Sequence, residues 1–77
     1  MMILTEEITK ALNEGYELTF KRVDGYGPNV LDIQMRKGGK AYHAYEDFLM
    51  CRDHEEVTYD IDRAIRYIKY SFNEKGQ

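Results

Sequence analysis

The sequence has one cysteine, one proline and no tryptophan, and it lacks any long apolar run. Cys51 has no second cysteine inside the chain, which agrees with a reducing compartment and leaves an intermolecular disulfide as the only oxidised pairing. No segment approaches the roughly 20 apolar residues that cross a bilayer, and the apolar opening at 1–4 is too short for the core of a secretory signal. A cytoplasmic location is therefore expected.

Positive charge is outnumbered by negative charge. The chain has 11 Lys and Arg against 14 Asp and Glu, a formal net charge of −3 and a pI near 5.3. Such a net field repels phosphate backbones, so direct nucleic-acid binding is not expected.

Length and composition predict one domain over residues 1–77. Hydrophobic residues make up 43% and charged residues 32%, which is typical of a folded soluble domain. A chain this short buries only about 60% of the surface that its unfolded form exposes, so a homodimer stays open beside a monomer.

A short first helix is predicted from about Glu6 to Glu14. Thr5 is a natural N-cap, acids follow it in the first turn, and Gly15 fits the left-handed position after a helix. The expected apolar stripe consists of Leu4, Ile8, Ala11 and Leu12.

Three antiparallel strands follow, because the hydrophobic period changes to two. Turn residues at 24–29 close the first hairpin, and the glycines of Lys37-Gly38-Gly39-Lys40 favour a two-residue turn with positive φ. The second turn predicts a register in which the numbers of two paired residues add up to 77. In the first hairpin, pairing Val23 with Val30 predicts a register in which the numbers of paired residues add up to 53. The positions expected to face inward are Tyr16, Leu18, Phe20, Leu31, Ile33, Met35, Tyr42 and Ala44.

Charge supports this register. It places Glu17 opposite Arg36 and Lys21 opposite Asp32 on the outer face, which are pairs of opposite sign. Apolar pairs on one face and charge pairs on the other agree on the same alignment.

A long C-terminal helix, about Asp53 to Asn73, gives the strongest periodic signal. Its apolar stripe comprises Val57, Ile61, Ala64, Ile65, Ile68 and Phe72. Asp53 with Glu56 forms a capping box, and Thr58 is the alternative cap of a shorter helix. The segment Glu46 to Arg52, with Phe48-Leu49-Met50-Cys51, is expected to be a loop or single turn over the core, and 73–77 a frayed end. The predicted fold is α+β, with a short N-terminal helix, a three-stranded antiparallel sheet and a long C-terminal amphipathic helix on one sheet face (αβββα).

The side of the long helix opposite its apolar stripe carries the first candidate binding surface. It comprises Tyr59, Arg63, Arg66, Tyr67 and Tyr70. Tyrosine and arginine are enriched at interface centres, because they bury large areas and form directional hydrogen bonds. A solvated face in which Asp62 pairs with Arg66 is the equal alternative.

The outer sheet face offers a second candidate surface, for a small ligand. Its donors and acceptors are Arg36, His43, Tyr45 and Gln34, with Thr19 beside them. An ordinary polar outer face is the favoured alternative, since antiparallel sheets alternate in this way by default.

Metal and catalytic chemistry have little support. Cys51 and His54 are spaced like metal ligands, with Asp53 between them, and His43 lies elsewhere in the sequence. Structural zinc, however, normally takes four Cys or His ligands. This chain has only one Cys and two His. A Cys–His nucleophilic pair would lack an orienting third group and an oxyanion hole. We expect no metal, no cofactor and no enzymatic activity.

Carboxylates concentrate between residues 46 and 62. They are Glu46, Asp47, Asp53, Glu55, Glu56, Asp60 and Asp62. Such a row can imitate DNA phosphates and steer the protein towards a basic target. Acids favoured by the helix dipole, together with a solvated loop, are the preferred alternative, and Arg52 and Arg63 interrupt the row.

The size, the acidity and the order of elements resemble small accessory proteins encoded by bacteriophages. The resemblance rests on the turn at Lys37-Gly38-Gly39-Lys40, the acidic connection and the helix Val57 to Phe72, and it carries no residue role across. It implies a protein that binds and blocks one host or defence protein, sometimes by mimicking DNA.

The predicted function is therefore stoichiometric, non-catalytic binding to a protein partner, as an inhibitor or modulator of a host or defence enzyme that itself can bind nucleic acid. Two alternatives stay open. One is an oligomeric sponge for a nucleotide-type ligand, assembled through the long helix, and the other is a structural homo-oligomeric component.

Overall fold

The computed structural model describes residues 5–23, 25, 27 and 29–75, and it contains five elements. They are α1 (Glu6–Asn13), β1 (Glu17–Arg22), β2 (Val30–Lys37), β3 (Lys40–Asp47) and α2 (His54–Lys75). The predicted α+β order is confirmed. Predictions on Leu4, on Asp24, Tyr26 and Pro28 of the first turn, and on 76–77 lie outside the described residues.

The sheet is antiparallel with the order β1-β2-β3, so β2 is central. Both predicted registers are confirmed: Phe20 lies opposite Ile33 in the first hairpin, and Ile33 lies opposite Ala44 in the second. Gly38 and Gly39 have φ of 61° and 80°, which is the geometry that a two-residue hairpin turn needs.

Both helices begin at the predicted caps. Ile8 donates its backbone N–H to Thr5 Oγ1 at 3.1 Å, and Glu56 donates its backbone N–H to Asp53 Oδ1 at 3.0 Å. The Glu56 carboxylate accepts from the backbone N–H of Arg52, one residue before the cap. The alternative cap at Thr58 is wrong, and α2 continues to Lys75, two residues beyond the predicted end.

The core lies between the inner sheet face and the two helices. α2 packs across β3 and β2, while α1 packs against α2 and β1. The fully buried centre includes Ile33, Met35, Ile65 and Ile68. At one end of the core the Phe72 ring meets Tyr16 and Tyr42 edge-on, with centroids 5.1 and 4.7 Å apart.

Three expectations about burial are wrong. Leu12 is half exposed. Phe20 is 41% exposed although it lies on the inner face. Its exposure follows because α2 packs on β2 and β3, so that only the short α1 packs on β1. Asp32 was expected to face solvent but is only 8% exposed. On the central strand of the outer face its carboxylate forms hydrogen bonds with Gln34 and His43.

Candidate functional site

The predicted binding surface on α2 is largely open to solvent. Tyr59, Tyr67 and Tyr70 are 61%, 65% and 61% exposed, and they lie on the side of α2 opposite the buried isoleucines. We call Tyr59, Arg63, Arg66, Tyr67 and Tyr70 the tyrosine–arginine face. Three large exposed rings on one helix side form a patch that can lose water on binding a partner.

The two arginines of this face also hold the domain together. Arg63 donates to Glu46 of β3 at 2.7 Å and lies 3.6 Å from Asp60, and this hydrogen bond with Glu46 raises the pKa of Arg63. Arg66 reaches Glu7 of α1 at 3.8 Å. Because both guanidinium groups have acidic partners within the domain, the tyrosines are the more available contact residues. The predicted pair of Asp62 with Arg66 does not form among the described ion pairs.

Tyr70 is held by its own helix. A hydrogen bond with Glu74, one turn further along, raises the pKa of the Tyr70 phenol, with a smaller contribution from burial. The hydroxyl therefore stays protonated at neutral pH and has a fixed acceptor. The residue as a whole remains 61% exposed.

A groove separates the tyrosine–arginine face from the edge strand β3. Its volume is about 300 Å³, and its walls are Ala44, Tyr45, Glu46, Arg63, Ala64 and Tyr67. Its lining combines two small alanines with two exposed tyrosines. The groove is therefore shaped to take one apolar or aromatic side chain of a partner.

A second groove lies at the start of α2. It encloses about 410 Å³ and is lined by Met50, Cys51, Asp53, Glu55, Glu56, Tyr59 and Asp60. Met50 is 84% exposed and its neighbour Leu49 is also exposed, whereas Phe48 packs on the core. The prediction that the segment Glu46 to Arg52 covers the core is right for Phe48 but not for Leu49 and Met50, which are exposed. The signal was present, because consecutive residues in a turn cannot all point inward.

Cys51 lies in this acidic groove as an unreactive thiol. Its S–H donates to Asp60 Oδ2 at 3.1 Å, and this hydrogen bond, with burial and nearby carboxylates, raises the pKa of Cys51 to about 11. The nucleophilic thiolate is therefore scarce at neutral pH. No group of three His, Cys, Asp or Glu side chains gathers as a metal site in the part of the chain that the structure describes.

The predicted small-ligand surface on the outer sheet face is centred on Asp32. Gln34 Nε2 donates to Asp32 Oδ2 at 2.9 Å, and His43 Nδ1 lies 2.8 Å from Asp32 Oδ1. The Tyr45 ring meets His43 edge-on at 5.2 Å. Arg36 is exposed and lies two residues beyond Gln34 on the same face. The structure thus brings Gln34 and His43 together around a carboxylate.

The Asp32 carboxylate stays ionised. Burial alone would raise its pKa, but the hydrogen bonds from Gln34 and His43 and the charge of Lys21 outweigh burial and lower it. The adjoining depression is only about 170 Å³. A negative charge at the centre and donors already engaged make this face a poor receptor for a nucleotide-type anion.

The chain matches no protein-family model, no curated protein sequence and no solved structure. What the tyrosine–arginine face can bind follows from its side chains: the rings supply apolar area, and the hydroxyl groups supply directional hydrogen bonds. None of the described helices is long and apolar enough to cross a membrane.

Proposed function

We propose that this protein is a non-catalytic binding protein that acts stoichiometrically on a protein partner through its tyrosine–arginine face. The observation that carries the proposal is the exposure of Tyr59, Tyr67 and Tyr70 on one side of a helix whose other side forms the core. Anchors on a rigid, packed helix lose little conformational entropy on binding, so more of their buried area contributes to affinity.

The chemistry around the face indicates the kind of partner. The acidic groove at the start of α2 adjoins Tyr59, and exposed Met50 lies on its rim. A target with a basic surface around an apolar contact would meet complementary charge here, which speeds association at low salt. Inhibition or modulation of a host or defence enzyme, one that itself handles nucleic acid, fits this complementarity. A cytoplasmic setting fits the single cysteine, which has no disulfide partner within the sequence.

Affinity capture from a host lysate with matched variants tests the proposal. The variant Tyr59→Ser/Tyr67→Ser/Tyr70→Ser should lose the captured partner, because the apolar contact area is removed, while its melting temperature stays close to wild type. The control Leu12→Ser removes a half-exposed apolar side chain of α1 that lines neither groove, and it should keep the partner. Native mass spectrometry of the complex should give a fixed stoichiometry.

Two outcomes contradict the proposal. The triple variant could retain the partner as well as wild type does, which would place the contact elsewhere. Alternatively the triple variant could unfold, which would make the tyrosines part of the core. The single variants, compared by circular dichroism, separate these two cases.

A further inference from the structure

Strand β1 is an edge of the sheet, and β2 is its only strand neighbour within the described part of the chain. All of its residues except Leu18 are exposed, and Phe20 presents a large apolar ring on the inner face. Open sheet edges pair readily with other strands, and proteins usually block them. This edge combines an unpaired backbone with an uncovered aromatic side chain.

The backbone of β1 is oriented for pairing on its outer edge. Val23 donates to the Val30 carbonyl at 3.2 Å, so the odd-numbered residues of β1 form their backbone hydrogen bonds with β2. The N–H and C=O groups of Leu18, Phe20 and Arg22 consequently point away from β2. They form the row of donors and acceptors that a further antiparallel strand would meet.

The side chains of β1 complement a reversed copy of β1. In the antiparallel register that places Thr19 opposite Thr19, each Glu17 faces a Lys21 on the outer side. On the inner side each Leu18 faces a Phe20. Opposite charges and apolar partners then coincide in one register, as stabilising cross-strand pairs require. Moving the register by two residues, so that Phe20 faces Phe20, puts Leu18 opposite Arg22 and Lys21 opposite Thr19.

We propose that this protein forms a homodimer in which the β1 strands of two copies pair antiparallel about Thr19, joining the two sheets into one of six strands. The two-fold axis is perpendicular to the sheet, so both inner faces stay on the same side. Phe20 of each copy is covered by Leu18 of the other, and about four backbone hydrogen bonds close the seam. The pairing leaves the tyrosine–arginine face of α2 outside the interface.

Mass in solution is the first measurement. Light scattering coupled to size exclusion should give twice the chain mass of 9.1 kDa for wild type. Phe20→Lys places a charge in the apolar seam and should reduce the mass to that of one chain with an unchanged far-ultraviolet spectrum. Tyr67→Lys, an equal change at an exposed aromatic on α2, should remain dimeric. A monomeric wild type, or a Phe20→Lys dimer, overturns the proposal.

Cysteine cross-linking tests the register. In a Cys51→Ser background, Thr19→Cys should form an intersubunit disulfide under mild oxidation, because facing residues of a non-hydrogen-bonded pair have Cα atoms about 4.5 Å apart. Lys21→Cys, on the same strand and the same face, should not, because its two copies would lie about 13 Å apart along the strands. The double variant Glu17→Cys/Lys21→Cys should cross-link again. Equal cross-linking of the Thr19→Cys and Lys21→Cys variants would mean random collision and would overturn the pairing.

Discussion

Asp32 lies on the polar face of the sheet, yet the residue is only 8% exposed. Gln34 and His43 each give it a hydrogen bond, so the buried charge is satisfied. A buried, satisfied carboxylate ties β2 to β3 on the face away from the helices. Asp32 therefore contributes to stability at the position where the sequence suggested a ligand site.

Replacing Asp32 with asparagine should change how stability depends on pH. Folding lowers the pKa of Asp32 below its ordinary value of 3.8, so its stabilisation is present above that pH and is lost as pH falls through the folded-state pKa. Asp32→Asn should cost about 1 to 3 kcal/mol at neutral pH. It should also show a shallower fall in melting temperature below pH 4 than wild type. Equal slopes for wild type and Asp32→Asn would contradict the linkage.

The helices show how local chemistry sets the ends of elements. α2 has 22 residues and is about 33 Å long. Its start is fixed by the Asp53 side chain, which accepts a backbone N–H of the first turn, while Glu55 and Glu56 favour the positive end of the helix dipole. The same helix holds the core, the acidic groove and the tyrosine–arginine face, so fraying at its start would disturb Tyr59 first.

Asp53→Ala should destabilise the domain by about 1 kcal/mol, because the N–H of Glu56 loses its acceptor. Asp53→Asn keeps a capping oxygen without the charge and should lie close to wild type. Chemical denaturation of the three proteins measures the difference in the free energy of unfolding. A loss in Asp53→Asn as large as in Asp53→Ala would assign the effect to charge and not to capping.

Across the described residues, one small hydrophobic core is shared by both helices and the inner sheet face. Ion pairs at the surface join the same elements, as Lys69 of α2 does with Glu14 after α1 at 2.9 Å. Exposed pairs of this kind contribute little, so the core carries most of the stability. The helices bury the inner face of β2 but leave Phe20 of β1 partly exposed. In the proposed homodimer, the second copy would cover Phe20.

Truncating one core residue should therefore destabilise the entire chain. Ile65→Ala removes a fully buried side chain and should lower the free energy of unfolding by about 2 to 4 kcal/mol through lost burial and a residual cavity. Leu12→Ala, at a half-exposed apolar position of α1, should cost less than about 1 kcal/mol. Urea denaturation followed by circular dichroism compares the two, and similar losses would show that Leu12 belongs to the core.

The sequence alone determined the elements, both strand registers and both helix caps. These features depend on residues that are close together along the chain. The glycines at 38 and 39 determine the turn of the second hairpin, and Asp53 caps helix α2, which begins at the next residue. It also placed the three tyrosines on one side of α2. The sites could be predicted to this extent because helical and strand periodicity is local.

Only the tertiary structure decided which residues of each face are covered or engaged. Arg63 and Arg66 are tied to Glu46 and Glu7, which are distant in sequence, and no local pattern predicts those pairs. Asp32 is buried and Phe20 is exposed because α2 lies across β2 and β3 and not across β1. Periodicity predicts the side of a helix or strand to which a residue points. Whether that residue is buried depends on how whole elements pack together.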